Sequence, residues 1–392
     1  MQIAPQRTDW RQVWLVLAIG VAAAFHTGKA PIGLPLIRAE LGLGLDAAAW
    51  VLSAFPIVGG LIGAGMGVVI SRTGARKAVV VGMLMLAAAS AMGSLAPGLP
   101  ALLATRIAEG FCLMAVSIAA PALLETISSL RDRPMAIAIW STFMPLGMSL
   151  AMMAAPLLPV IGWRGLWLLM AGTAAVIGLL AYRTLAATEP PPPMDGSRVL
   201  RDLGRTLGAT GPRLLTGSFM CWATVWAVLT GFLPTLLIER VGVGVDVAGL
   251  LAGLVTAGCI IGNLLAGPLL RRGIPRWGLL AFANGTVAVC GLLIFDHRVD
   301  PWYAYAAALA LTLVGGLIPT CVLGGAAVYA PDRRLIAATL GMIMQGSNIG
   351  LIIGPVAAGV AVSSFGWDGA GLMVVAAGLL SLAMALRFRR LG

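Results

Sequence analysis

Four ionisable residues sit inside otherwise apolar runs of this chain: His26 and Lys29 in the run 14–36, Arg106 and Glu109 in the run 100–124. A charge at the centre of a bilayer costs about 3 kcal/mol on insertion scales, so such a residue is normally kept for a pathway, a proton or a partner. At about 1.5 Å per helical residue, Lys29 lies about 22 Å from Trp14. From Pro100 on the opposite side, Arg106 lies about 9 Å and Glu109 about 14 Å in. In a hydrocarbon core of about 30 Å these depths put Lys29 between the other two, within their reach. Three chemistries fit. Lys29 and Arg106 offer excess positive charge in a low-dielectric cleft, which attracts an anionic substrate. Glu109 offers a proton site whose balance against the two cations switches with conformation. A static bridge from Lys29 or Arg106 to Glu109, holding one half of the molecule together, is the third. His26 is as well read as a hydrogen-bonded packing residue as a proton relay.

Further along the chain, Trp222 and Trp226 stand four residues apart on one helical face, where they form either an aromatic wall for a small ligand or an interfacial anchor. Thr320, Gln345 and Asn348 add polarity to later apolar runs and complete the set of binding candidates. Met144, Met148, Met152 and Met153 have no Cys or His cluster beside them and read as packing. The cysteines Cys112, Cys221, Cys259, Cys290 and Cys321 all lie in apolar stretches without pairing spacing, so neither disulfides nor metal ligands are expected. The sequence contains no G-x-x-x-x-G-K-[ST], H-E-x-x-H or G-x-S-x-G. ATP hydrolysis, intramembrane hydrolysis and a bound cofactor are therefore not expected of this chain.

The elements that must hold these residues follow from composition. Of 392 residues, 59% are hydrophobic and 10% charged, and the mean hydropathy is +0.97. A water-soluble domain averages about 25% charged residues. Apolar runs at 14–36, 48–70, 78–96, 100–124, 135–160 and 164–186 are each long enough to cross a bilayer. A second set lies at 213–238, 247–270, 277–295, 302–330, 335–362 and 366–387. No cleavage site comes after the first run, which is read as a retained anchor. The stretch 187–212, with Pro190, Pro191, Pro192 and Pro193, reads as a linker between bundles at 1–186 and 213–392.

The formal charge of +11 invites a nucleic-acid reading, but the basic residues are spread over short loops instead of a patch. Assigned to alternate sides, twenty fall with the termini, against Arg38, Arg164, Arg240 and Arg298 opposite. That asymmetry predicts cytoplasmic termini in a bacterial inner membrane. The bilayer, a small solute and protons are the expected partners, nucleic acid is not, and a monomer is expected.

The halves repeat. Leu41-Gly42-Leu43-Gly44-Leu45-Asp46 recurs as Val241-Gly242-Val243-Gly244-Val245-Asp246. Gly147 and Pro156 are matched by Gly346 and Pro355, and Gly162-Trp163-Arg164-Gly165 by Gly366-Trp367-Asp368-Gly369. Several matches in one order predict two copies of a six-helix unit: an all-α membrane protein of twelve transmembrane helices in two pseudo-symmetric bundles. The loop Gly67-Val68-Val69-Ile70-Ser71-Arg72-Thr73-Gly74-Ala75-Arg76-Lys77 resembles the cytoplasmic signature G-x-x-x-D-R-x-G-R-[RK] of the major facilitator superfamily. Gly67, Arg72, Gly74, Arg76 and Lys77 fit; Ser71 replaces the usual Asp and Ala75 a frequent Arg, which removes the Asp of the family's gating ion pair. Arg106-Ile107-Ala108-Glu109-Gly110 resembles the family's R-x-x-Q-G.

Together with Pro121, Trp140-Ser141-Thr142 and Met144-Pro145-Leu146-Gly147, the sequence looks most like the cyanate/nitroimidazole branch. The efflux-associated fifth-span motif is reduced to Ala151-x-x-x-Ala155-Pro156. The resemblance implies a secondary transporter working by alternating access, with the first, fourth, seventh and tenth spans around a central site. It favours proton-coupled uptake of a small polar or anionic solute, with proton-coupled efflux of a drug or metabolite as the alternative.

Overall fold

The computed structural model describes residues 7–57, 59–61, 74–129, 131–185, 204–332 and 335–390. In lipid every backbone polar group must be satisfied within the segment, and the chain answers with helices. The first half contains α1 (Trp10–Leu41), α2 (Leu45–Ser53), α3 (Ala75–Ser94), α4 (Leu99–Ile127), α5 (Arg133–Ser141), α6 (Phe143–Met153), a 3-10 turn (Ala155–Leu157) and α7 (Leu158–Thr184). The second contains α8 (Thr210–Val241), α9 (Val245–Arg271), α10 (Arg276–Phe295), α11 (Pro301–Gly315), α12 (Leu317–Tyr329), α13 (Ile336–Phe365) and α14 (Trp367–Phe388).

Among the described residues ten helical runs are long and apolar enough to cross a membrane. One of them, Met135–Thr184, is 50 residues long and is broken at Gly162 (φ 63°, ψ 178°), so it is long enough for two crossings. α2 begins a further apolar run whose end, residues 62–73 with Gly67 and Arg72, lies outside the described residues. The count is consistent with twelve.

The interruptions are finer than the apolar runs foretell. The fifth run, 135–160, is divided between α5 and α6 and again by the 3-10 turn. The tenth, 302–330, is divided into α11 and α12 at Gly315 and Gly316, and the seventh begins at Thr210. At the α11–α12 break the ring of Trp222 packs where a Gly315 side chain would stand.

The repeat is visible in the backbone. α1 and α8 both end on a left-handed glycine, Gly42 (φ 63°) and Gly242 (φ 72°). Gly162 and Gly366 share another positive φ, 63° and 67°, just before a tryptophan. These are conformations that only glycine adopts without strain, which explains why this part of the repeat survives in sequence. The same holds for packing: a Cβ on Gly147 would meet the Val21 carbonyl of α1 at 2.5 Å, and one on Gly346 the Thr216 carbonyl of α8 at 2.9 Å.

We call the end at which α1 and α8 finish the distal end, and the opposite one proximal. Proximal residues of the first half, including Val13, Val79, Leu123 and Ala181, form an apolar cluster of their own. Distal residues of that half, including Ile32, Leu34, Met152, Ala155 and Trp163, join the cluster of the second half. Among the described residues the halves therefore share their apolar core at the distal end, and their contact continues along α13 as far as Gly59 and Gly60. The distal seam is close: Ser149 Oγ donates to the Gly253 carbonyl at 2.8 Å, and Gly359 of α13 lies against Ala49 and the Leu45 carbonyl of α2.

Candidate functional site

α1 and α4 cross in the first half so that His26, Lys29, Arg106 and Glu109 form one cluster, every member at most 1% exposed. His26 and Lys29 lie one helical turn apart on α1, as do Arg106 and Glu109 on α4, so two adjacent turns present four groups to one another. Lys29 Nζ donates to Glu109 Oε1 at 2.6 Å and to Ser90 Oγ at 2.6 Å, and lies 3.1 Å from His26 Nδ1. The other Glu109 oxygen accepts from Arg106 Nη1. Arg106 is also fixed to main chain, through Nη1 to the His26 carbonyl (2.7 Å) and through Nε to the Val51 carbonyl (3.2 Å). Its guanidinium lies over the Phe55 ring at 4.4 Å, and Lys29 over the Trp167 ring at 4.5 Å.

Two cations share one carboxylate, leaving a formal excess of one positive charge in a fully buried site beside His26. Lys29, Arg106 and Glu109 are all bonded, so an anion or a proton on the carboxylate enters only by exchanging partners, while His26 Nε2 has no hydrogen-bond partner among the described residues. Ser90, Trp167 and Phe55 escaped the sequence reading. Ser90, which passes Lys29's bond on to the Trp167 carbonyl at 2.9 Å, left the one usable signal, a hydroxyl in an apolar run. Gly110 has a structural reason beside the cluster: a Cβ there would overlap the Phe55 carbonyl.

The remaining candidates are dispersed. Trp222 is buried against the α11–α12 break, and Trp226 is partly buried beside it, their ring centroids 5.8 Å apart. Thr320 Oγ1 donates to the Asn263 carbonyl at 3.1 Å within the second half. Gln345 Nε2 donates across the halves to the Gly60 carbonyl at 3.0 Å, and Asn348 packs against Gly59. Of the residues in the signature-like loop before α3, Gly74 precedes α3 at φ 82° and Arg76 Nη2 donates to the Tyr182 carbonyl at 2.6 Å. Lys77 is exposed. One group spaced for a metal occurs among the described residues, Asp296, His297 and Asp368. It is solvated at the surface, with His297 66% exposed.

The family model for the Major Facilitator Superfamily matches residues 15–335 and again 214–391. The chain belongs to the Major Facilitator Superfamily. The second match falls on the second half alone, in keeping with the repeated backbone. As a superfamily member the chain is a multi-pass membrane transporter, and the small-molecule class of its cargo follows from that membership.

The chain is also similar to the puromycin resistance protein pur8 of Streptomyces alboniger, 28% identical over 211 residues, which are 53% of this chain and 41% of that protein. Among solved structures it resembles a bacterial homologue of the human lysosomal transporter Spinster in an inward-facing and occupied conformation. The TM-score is 0.78 at 16% identity, covering 99% of this chain and 98% of that one. The inward-facing and unoccupied form gives 0.74 at 16% identity, over 96% of each chain. These likenesses establish the fold.

Proposed function

We propose that this superfamily member is a proton-coupled secondary transporter that takes up a small polar or anionic solute by alternating access, with Glu109 as the proton site. The observation behind this reading is the sharing of one fully buried carboxylate between Lys29 and Arg106. Protonating Glu109 releases both cations at once, and an anionic solute is the natural replacement for the lost charge. Arg106 is held by two carbonyls and stays in place, whereas Lys29 keeps Ser90 and His26 and is the more mobile of the two. The excess cation and the resemblance to the cyanate/nitroimidazole branch support the anionic class.

On this reading the bundles are 1–186 and 213–392 with the linker 187–212, and the working unit is a monomer in a bacterial inner membrane. The excess of basic residues in the proximal loops supports cytoplasmic termini, and with that orientation a closed distal end corresponds to an inward-facing conformation. Gly67, Arg72, Gly74, Arg76 and Lys77 form the cytoplasmic gating loop, and Trp222, Trp226, Thr320, Gln345 and Asn348 line or support the substrate path.

The test is transport in proteoliposomes. Glu109→Gln should abolish accumulation driven by a proton gradient while leaving counterflow exchange; unchanged accumulation eliminates the role. Lys29→Ala should weaken binding of small organic anions far more than that of neutral analogues.

A second reading, proton-coupled efflux of a drug or metabolite, is favoured by the likeness to a puromycin resistance protein. Inverting the gradient in the same vesicles separates the two directions.

A further inference from the structure

Glu40 and Glu239 lie near the distal ends of α1 and α8, two residues before Gly42 and three before Gly242, and are used alike although they are one position out of register. Each accepts an indole N–H from the tryptophan after the positive-φ glycine: Trp163 Nε1 to Glu40 Oε2 at 2.5 Å, and Trp367 Nε1 to Glu239 Oε2 at 3.0 Å. The halves differ at the next residue. In the first half the tryptophan is succeeded by Arg164, which closes on Glu40 Oε1 at 2.8 Å and ties down the carbonyls of Ser94 and Ala96. Glu40 is thus neutralised within its own half. In the second half the corresponding residue is Asp368, which repels a carboxylate and faces His297 instead, at 3.1 Å.

Glu239 Oε1 is left for a cation from elsewhere. It finds Arg38 of α1, at 3.4 Å, across the boundary between the halves. The hold is one-armed, since Arg38 Nε has no hydrogen-bond partner among the described residues. A cavity of about 290 Å³ lies against the pair, lined from the first half by Pro35, Arg38 and Leu43 and from the second by Thr235, Ile238 and Glu239. The two side chains are 27% and 45% exposed, so water reaches both and the pair can part without burying a bare charge.

We propose that Arg38–Glu239 is a breakable latch that biases the halves toward the closed distal end, and that the change from Arg164 to Asp368 between the repeats is what frees Glu239 to make it. The glycine seam beneath supplies the fit; the latch sets how often it opens. The inference concerns the conformational equilibrium alone and does not depend on Glu109, on the coupling ion or on the direction of transport.

The experiment measures that equilibrium without a substrate. Spin labels at Pro97→Cys and Arg298→Cys sit on the distal loops of the two halves, and the five native cysteines are buried. Distance distributions between the labels are recorded in nanodiscs. Glu239→Gln keeps an acceptor for Trp367 and removes only the charge, so the ratio of the longer to the shorter distance should rise roughly two- to five-fold, the range expected for one exposed ion pair. Arg38→Gln should do the same. Asp368→Arg should also raise the ratio, by drawing Glu239 into its own half as Arg164 draws Glu40. Glu40→Gln, which breaks the pair inside one half, should leave the distribution as it was. An unchanged ratio in both Glu239→Gln and Arg38→Gln overturns the latch, as does an equal rise in Glu40→Gln, which would mark general loosening of the distal end.

Discussion

Arg106 Nη1 donates both to the carboxylate of Glu109 and, at 2.7 Å, to the main-chain oxygen of His26. One guanidinium therefore neutralises a charge on its own helix and fastens that helix to the backbone of α1. Its Nε reaches the Val51 carbonyl of α2 as well, so three helices meet at one side chain. Pairing explains why the charge is tolerated there, and the two carbonyls explain why it is an arginine. A lysine has no planar fork with which to span three acceptors.

Arg106→Lys should accordingly destabilise the protein although it preserves the charge. Breaking a buried pair typically costs about 3–5 kcal/mol, and the retained charge should put this change near the lower figure. Thermal unfolding in detergent measures it; a midpoint equal to that of the wild type would show that the carbonyl bonds contribute nothing.

Ser90→Ala should act chiefly through Lys29, the other partner of the lost hydroxyl being the Trp167 carbonyl. The ammonium has Glu109, Ser90 and His26 as acceptors, and a hydrogen bond to a charged group is worth about 1.5–3 kcal/mol. The same unfolding assay should register a loss in that range. In a Lys29→Met background Ser90→Ala should cost markedly less, because the acceptor then serves no cation; equal losses in the two backgrounds would separate Ser90 from the cluster.

Gly110→Ala should be among the most damaging single-methyl changes in the chain, because the added carbon would overlap the Phe55 carbonyl. Overpacking of this kind costs about 1–3 kcal/mol, and here the displaced residue carries the ring that covers Arg106. Gly172→Ala, with nothing within 4 Å of its added carbon, is the control and should leave expression and melting unchanged. Similar behaviour of the two variants would mean that α4 can shift to make room.

Much of the fold and of the buried cluster was legible from residue types. His26, Lys29, Arg106 and Glu109 stand out because a charge in an apolar run has few bland explanations, and helical rise alone puts Lys29 level with its partners. The positive-φ glycines at 42, 242, 162 and 366 announced the repeat, since no other residue takes those conformations cheaply. Other features carry no such signal. Glycine and proline recur throughout these helices, so nothing marked Gly315 and Gly316 as the break in the tenth run. Arg38 counted only as a charge on the sparsely basic side, and its engagement with Glu239 depends on how two halves meet, which no local pattern encodes. Trp222 and Trp226 do share a face, but that face is settled by the break opposite Trp222.

The proximal end offers a prediction in pH. Thr8 Oγ1 donates to Asp132 Oδ2 at 2.7 Å and accepts from the Ser129 N–H at 3.0 Å, while the Asp9 N–H donates to the Ile127 carbonyl at 3.0 Å. The segment before α1 is thus strapped to the α4–α5 turn. The hydrogen bond from Thr8, with a second from Ser129 and the charge of Arg131, holds the Asp132 carboxyl below the ordinary aspartate range. A carboxyl lowered on folding stabilises the strap fully above its unfolded value, about 3.9, and loses that contribution as pH falls through the folded one. Amide hydrogen exchange over residues 7–13 should therefore be flat from pH 7 down to about 4, once corrected for intrinsic rates, and lose protection below. Asp132→Asn should exchange faster at neutral pH and show a smaller acid step, since an amide keeps only part of the acceptor strength and does not titrate. The remaining step is the part due to Asp9, whose carboxyl caps α1 and is also held low by Gln12. An acid step of undiminished size in Asp132→Asn would assign the transition to another group.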